Sequence, residues 1–547
     1  MSRKKIVLVL LLLLTLLIAA CSKDKDVTTE GNKGGGDAAQ QGSDSIVTDA
    51  GEFPIVKEKV ELNVLIPANS LVKDFNTNEF TKWYEEKTGV HINWEVLPSE
   101  GAQEQLNLIL TSGEYPDVIM DMGLQPAQLR LYGDNGTFLA LNDLIEKYGI
   151  ETKKMFQEIP VVKDAITSPD GKIYALPQVN ECFHCTMPQK MWVYKPWLDK
   201  LDMDIPQTTE EFRELLLAIK NGDPNGNGKA DEIPLSGQYN GWHTSLTGFL
   251  MDPFIYSDVH VVDGKIIAPW DKEEYKEGLK YLNSLYKDGL IYSGTFTQNG
   301  EQFKQLGENP EIPILGTALS ATLSSFTEGD SRMKDYVAIP PLEGPDGQRI
   351  TFYLPNPVTR PAEFIITNKA KNPEVAFRWA DAMYQEEITM RSVIGREGEE
   401  WKIPEEGVLG LDGNQAKYET IEKEEPVHND YWDQTGPSLR TKEFRAGQAV
   451  PEGHQEQLLW AATEQYAPYI SDTIEPLPPL FFSEEDSNKM AKIEQSLTDY
   501  VDEMASAFIT GQSDIDSSWD KYISTLQEIG IEEYVAIHQR SYDEKYK

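Results

Sequence analysis

After a polar, glycine-rich stretch over 22–51, apolar and polar residues alternate in "KVELNVLI" (Lys59 to Ile66), placing Val60, Leu62, Val64 and Ile66 on one face with a strand's period. "NEFTKWYEEKTGV" then takes helical spacing and closes at Gly89, and "HINWEVLP" returns to a strand. "GAQEQLNLILTSGEYPDVIMDMG" predicts a helix and a short buried strand at 117–121. This β-α-β-α-β order predicts a mostly parallel sheet covered on both faces.

A second α/β stretch begins at "TTEEFRELLLAIKNGDPNG", where Thr208 and Glu211 have capping-box spacing and Phe212, Leu215, Leu216 and Ile219 share one helical face. "VVDGKII" predicts a hairpin about Asp263 and Gly264, and "IPILGTALSATLSSF" a buried strand running into a helix. "RPAEFIIT" reads as a strand, followed by a helix that starts at Asn372 and Pro373. "NKMAKIEQSLTDYVDEMASAFITG" lines up Met490, Ile493, Leu497, Val501, Met504 and Phe508, and "SSWDKYISTLQEIGIEEYVAIHQ" continues in helix. The pattern therefore predicts two α/β lobes with a helical C-terminal part, and a ligand site in the cleft between them.

The first residues differ in kind. "MSRKK" is basic, and "IVLVLLLLLTLLIAA" is apolar but short for a membrane span. It ends at "IAAC", with Ile18 and Ala20 placed as in a bacterial lipobox, so residues 1–20 read as a lipoprotein signal peptide and Cys21 as the lipidated residue. An ordinary secretory cut after Ala20 would want a small residue where Ile18 stands. Residues 21–53 read as the lipidated Cys and a flexible tether. The protein is thus expected on the outer face of the bacterial cytoplasmic membrane, held by its N-terminal lipid alone. Cleavage removes Arg3, Lys4 and Lys5, moving the formal net charge from −40 to −43. Such an acidic body weighs against nucleic acid and phospholipid headgroups as partners.

"NGDPNGNGKADEIPL" (Asn221 to Leu235) carries the clearest candidate chemistry. Asp223, Asn225 and Asn227 fall at every second position, Gly228 stands at the sixth, and Lys229 can add its main-chain carbonyl. Alternating oxygen donors around a tight turn suit a hard cation such as calcium. An EF-hand would place a bidentate Glu at the twelfth position, which here is Pro234, so Asp231 and Glu232 must supply the remaining carboxylates. The alternative is a glycine-rich turn without metal. With no His and no acid/base partner in the loop, bound calcium reads as a structural clip and not as a Lewis acid.

"ECFHCTM" contains Cys182, His184 and Cys185. A structural zinc site lacks its second pair of ligands, and a redox Cys-x-x-Cys lacks its following helix, so a small disulfide between Cys182 and Cys185 is expected, with free thiols as the alternative. A P-loop, a Gly-x-Ser-x-Gly elbow and His-Glu-x-x-His are all absent. Chance pairs among 90 acidic residues leave a secreted, calcium-dependent glycoside hydrolase as the rival function. A peptide- or lipid-handling surface lipoprotein is a further alternative.

In their order, "TSGEYPDVIM", "GTFLALNDLIEKYG", "DGKIYALP", "WLDKLDMDIPQTTEEFRELLLAIKNGDPNGNGKADEIPL", "NPEVAFRWADAMY" and "WDKYISTLQEIGIEEY" carry a resemblance. The chain resembles the extracellular solute-binding lipoproteins of bacterial carbohydrate ABC importers (family 1 type), a group that includes the alginate-oligosaccharide-binding and LplA-like proteins. The resemblance implies a non-catalytic, monomeric receptor with a periplasmic-binding-protein-like fold, whose two lobes are joined by hinge crossovers and close on a sugar. It implies delivery of that sugar to permease subunits and assigns calcium to the loop's spacing. An N-terminal lobe is expected over 54–180 and 350–430, and a C-terminal lobe over 181–349 and 431–547. Sugar sites set aromatic faces against C–H faces and polar groups against hydroxyls, so Trp242, His243, Trp270, Trp432 and Trp192 are ligand candidates, with Trp242 and Trp432 foremost for their polar neighbours. Asn69 and Asp121 qualify from the carboxyl ends of strands, and Arg440 as a hydroxyl or carboxylate contact.

Overall fold

The computed structural model describes residues 46–547 apart from 240, 310, 328–329 and 422–426. The signal peptide, Cys21 and most of the expected tether lie outside the described residues. The tether's expected end at 53 is corrected: the chain is already docked at Ile46. Val47, Ile55 and Val56 are buried, and Arg378 donates to the carbonyls of Thr48, Asp49, Glu52 and Ile55 at 2.7–3.0 Å. Neutralising four carbonyls with one guanidinium lets a polar segment pack.

The first lobe is built on a six-stranded sheet. Strands β1 (Val60–Pro67), β2 (Val90–Leu97) and β3 (Val118–Met120) arise as the alternation predicts, with β2 and β3 parallel to β1. The helix Glu79–Thr88 joins β1 to β2; Asn78 caps its start and Gly89, at φ 76°, ends it in a conformation that costs glycine little. Strand β4 (Leu176–Asn180) runs parallel to β3, because β11 (Val358–Ile366) lies between them and is antiparallel to both. A two-residue strand, Leu439–Arg440, completes the sheet parallel to β4. The first lobe therefore keeps the chain through Arg440, past the expected boundary at 430. Trp432 explains this: it is fully buried in that lobe's core and ties down the segment leading to the edge strand.

The second lobe has its own core and a four-stranded sheet, in which Tyr336–Ile339, Met191–Tyr194, Leu315–Leu319 and Ile233–Ser236 lie side by side in that order. Its strands are β5 (Met191–Tyr194), β6 (Ile233–Ser236), β9 (Leu315–Leu319) and β10 (Tyr336–Ile339). The hairpin β7 (His260–Val262) and β8 (Lys265–Ile267) forms about Asp263 and Gly264, both at positive φ. After β9 the expected helix is only a turn, Leu323–Ser325, because the chain is polar on both sides of Leu323. The C-terminal helices Glu484–Thr510, Ile515–Ile529 and Ile531–Tyr546 join the second core through Met490, Leu497, Val501, Phe508, Trp519 and Ile537. Gly530, at φ 119°, splits the last stretch in two. Among the described residues, no helix is long and apolar enough to cross a membrane.

The chain passes between the sheets three times: from β4 to β5 at 181–190, from β10 to β11 at 340–357, and from Arg440 to the helix Gln455–Tyr466. That helix contributes Leu459, Ala462 and Tyr466 to the second core.

Candidate functional site

Register decides which residues can meet. In the first sheet, β1, β3 and β4 point the same way, and β11 starts beside the end of β4, pairing Val358 with Val179. All three crossovers therefore leave from the edge at which β1, β3 and β4 end. In the second sheet, Met191 at the start of β5 pairs with Ile339 at the end of β10 and with Leu319 at the end of β9. Strand β6 runs parallel to β9, so its end lies at this edge as well. Each lobe thus presents the carboxyl ends of its parallel strands where the crossovers run, the usual place for ligands on α/β sheets.

On the first lobe, this edge carries a polar cluster. Asp121, one residue beyond β3, sits at φ 56° and pairs with Arg360 near the start of β11. Arg360 also donates to the Gln434 carbonyl at 3.2 Å. Burial raises the Asp121 carboxyl to about 6, with Arg360 opposing the shift. Beneath it, burial first and Asp121 second push the Glu363 carboxyl well above its usual range, while Glu363 Oε1 accepts from the Gly436 amide at 2.6 Å. Asn69 donates to Thr435 Oγ1 at 3.0 Å. Gln178 donates to the Gln434 carbonyl at 2.6 Å and accepts from Arg440 at 3.2 Å.

The second lobe answers with a loop after β6. Trp242 is 67% exposed, by far the most open tryptophan face among the described residues. His243 follows at φ 50°, an uncommon backbone for a bulky residue and one that persists at functional sites. The His243 ring stands 4.8 Å from Trp242 and 5.8 Å from Phe352 of the second crossover. Burial, helped by the Lys190 charge, lowers its imidazole to about 4, so it is neutral at ordinary pH and can both donate and accept. A cavity of about 250 Å³ lies here, lined by His243, Gln189, Ser245, Ser257, Asp258 and Phe352, among others.

Of the residues expected from sequence, Asn69, Asp121, Trp242 and His243 stand at the two edges. The other tryptophans do not. Trp432 is 0% exposed, its Nε1 donating to Thr81 Oγ1 at 2.8 Å and its ring packed edge-on against Phe80 and Trp94. Polar neighbours misled here: the indole is an anchor, and the residues it positions, Asp433 to Thr435, are the ones at the edge. Trp192 is core on β5, bonded to the Ser320 carbonyl. Trp270 packs with Tyr534 against the C-terminal helices. Arg440 is 3% exposed and supports Gln178 from below. Sequence reasoning missed Arg360, Gln178, Thr435, Gln189 and Phe352. Arg360 opens a strand antiparallel to its neighbours, so only the sheet order reveals its edge.

The acidic loop lies elsewhere. It precedes β6, at the opposite end of that strand from Trp242. Asp223 accepts from the amides of Gly226 and Gly228, at 3.0 and 3.1 Å, and Asn225 and Asn227 accept from the amides two residues on. Asn225 Nδ2 and Asn227 Nδ2 both reach Asp231 at 2.8–3.0 Å, and these contacts hold the Asp231 carboxyl below its ordinary range. Glu232 Oε1 lies 3.4 Å from the Asn225 amide. The oxygen-bearing side chains of 225, 227 and 231 therefore already converge, a donor set that fits a hard cation. Cys182 and Cys185 are joined as a disulfide in the first crossover.

Two lobes with strand ends turned to three crossovers, and an exposed tryptophan on the second lobe, define the architecture of a hinged solute receptor. A model of the bacterial extracellular solute-binding proteins matches residues 67–390, and the chain belongs to that family. It is 30% identical over 508 residues to FusA, the fructooligosaccharide ABC transporter substrate-binding protein of Streptococcus pneumoniae, covering 90% of this chain and 91% of FusA. The solved FusA–kestose complex superposes with a TM-score of 0.73 at 28% identity, over 88% of this chain and 99% of that one. Lipoprotein LipO of Bacillus subtilis is 25% identical over 65% of this chain and 70% of its own. The alginate-binding protein AlgQ2, at 22% identity, a TM-score of 0.66 and coverage of 90% of this chain and 100% of that one, shares the fold. FusA and AlgQ2 are binding proteins and not enzymes.

Proposed function

We propose that the protein captures an oligosaccharide between its lobes and delivers it to the permease of an ABC importer, acting as a monomer tethered through lipid on Cys21. One observation carries this reading: both sheets turn their ligand-bearing strand ends to the edge crossed by the hinges. The Trp242 face suits a sugar's C–H face, and neutral His243 suits a hydroxyl that both gives and takes a hydrogen bond. Across from them Asn69, Asp121, Arg360 and Thr435 supply directional partners. A ligand touching both lobes stabilises their approach, so binding and the signal to the permease are linked.

Similarity to FusA supports a fructooligosaccharide as the first ligand to test. A calcium ion fits the 223–232 loop, held by Asp223, Asn225, Asn227, Asp231 and Glu232 with the Lys229 carbonyl; a solved FusA variant described as an EF-hand mutant supports this. The ion would supply charge neutralisation for three carboxylates.

Calorimetry and thermal unfolding with kestose, nystose and a wider glycan panel test the reading. At least one oligosaccharide should bind, raise the melting temperature and be recovered uncleaved. Folded protein that gives neither heat nor a thermal shift with any glycan overturns it, and released product would favour the hydrolase.

A further inference from the structure

The first crossover folds into a turn that the sugar-binding reading leaves without a role. Cys182 is 2% exposed and bonded to Cys185, with Cα atoms 5.3 Å apart and His184 between them in sequence. His184 Nε2 lies 3.4 Å from Cys182 Sγ, and the two sulfurs and the imidazole nitrogen all fall within 4.8 Å of one another. The other ring nitrogen, Nδ1, is 3.5 Å from Glu456 Oε2. Arg445 holds that same oxygen at 3.3 Å and reaches Cys182 Sγ at 3.8 Å. Lys190 donates to the His184 carbonyl at 3.0 Å, fixing the turn from below. Phe183 packs on Trp460 at 4.7 Å, and Leu354 of the second crossover donates to the Thr186 carbonyl at 2.7 Å. Residues from all three crossovers or their ends thus meet at this turn.

We propose that the turn is a redox-gated site for a thiophilic d10 cation, Zn2+ or Cu+, bound by Cys182 Sγ, Cys185 Sγ and His184 Nε2 when the bridge is open. Cysteines three residues apart can aim both sulfurs at one point, and a donor set of two thiolates and an imidazole selects soft or borderline metals. The second observation is the carboxylate behind the imidazole. Glu456 Oε2 stands 3.5 Å from Nδ1, on the side of the ring away from Cys182, where a carboxylate can orient the imidazole once Nε2 takes a metal, as in carboxylate–histidine–metal arrangements. With Zn2+ the two thiolates make a neutral centre; with Cu+ one negative charge remains beside the Arg445 guanidinium.

The chemistry closes with a dithiol as reductant. It gives two electrons and two protons to the bridge: the Cys182–Cys185 bond breaks, two thiols form, and the reductant's own sulfurs join. Metal binding then expels the two thiol protons. Disulfide and metal each hold the crossover turn shut, so only the reduced, metal-free state loses that clamp at the hinge.

The test uses the mature chain in saturating calcium, so that the acidic loop does not compete for the probe. Oxidised protein is compared with protein reduced by a phosphine, freed of it without oxygen, counted for thiols and titrated with Co2+. Reduced protein should develop thiolate-to-cobalt charge-transfer absorption to one equivalent, reversed by Zn2+; oxidised protein should show none. Transfer of Cu+ from a chromogenic chelator separates the two metals. Cys182→Ser/Cys185→Ser should abolish the band, and His184→Gln or the positioning change Glu456→Gln should weaken Co2+ binding roughly 10- to 100-fold. A bridge that resists reduction in the native protein, no charge-transfer band after reduction, or an equal band in the double serine variant each overturns the proposal. The comparison of oxidised with reduced protein needs no variant to fold.

Discussion

Trp242 and Trp432 looked alike in sequence, and truncating each should do opposite things. Trp432→Ala empties a site with 0% exposure between Phe80 and Trp94 and strands the Thr81 hydroxyl that its indole satisfies. A large-to-small change of that kind costs about 3–5 kcal/mol, and the lost buried hydrogen bond adds about 1 kcal/mol. The first-lobe transition should fall by roughly 10 °C or more. Trp242 is 67% exposed, so Trp242→Ala should move stability by less than about 0.5 kcal/mol. It should instead remove a stacking face worth about 2 kcal/mol, weakening the sugar roughly 30-fold in Kd. Scanning calorimetry and titration calorimetry on both variants read the two effects separately. Unchanged affinity in Trp242→Ala, or a melting temperature within about 2 °C of the parent in Trp432→Ala, would refute the assignment of face and anchor.

Calcium removal by a chelator, or Asp231→Asn, should lower the second lobe's melting temperature and change sugar affinity by less than about threefold, since the clip lies off the site. Asp121 has a folded pKa of about 6, above its unfolded value, so its contribution is fully present below about pH 4 and lost as pH rises through 6. Asp121→Asn should flatten that limb of a melting-temperature profile, and an unaltered slope there would show that burial does not govern the carboxyl. Between the lobes, Arg130 makes a two-pronged pair with Glu544 at 3.1 and 3.2 Å. The pair is partly exposed, so Arg130→Ala should shift sugar Kd by no more than about fivefold, and a change beyond about thirtyfold would make it a latch.

The fold was legible where periodicity was strong. The strand Val60–Pro67 and the helix closed by Gly89 appear as their spacing predicts, and the amphipathic helix read from Asn488 appears with its start a turn earlier, at Glu484 behind the Ser483 cap. Local signals failed where the outcome depends on distant partners. Nothing near "HNDYWDQTG" says that its tryptophan dives under the loop, because the aromatic cluster that receives it comes from residues 75–94 and 379. Nothing near Arg360 says that it opposes Asp121, because their meeting follows from the antiparallel insertion of β11. The turn of the acidic loop was legible, since the residues that bond one another in it, Asp223 to Asp231, are near neighbours in the chain.

That loop and the candidate sugar face share one element: they flank the four-residue strand β6, about 13 Å from end to end. A metal at one end could influence the other only by moving the strand. Yet β6 is fixed by groups the metal does not touch: it pairs with β9, Thr317 Oγ1 donates to the Pro234 carbonyl at 2.7 Å, and Leu235 bonds to the Leu290 and Tyr292 backbone. The Trp242 loop closes on itself, Thr244 Oγ1 donating to the Gln238 carbonyl at 2.7 Å and Gln298 Nε2 bracing Ser236 at 3.0 Å. With strand and loop each held by their own partners, an ion bound at the loop should add local stability and change sugar affinity by less than about threefold.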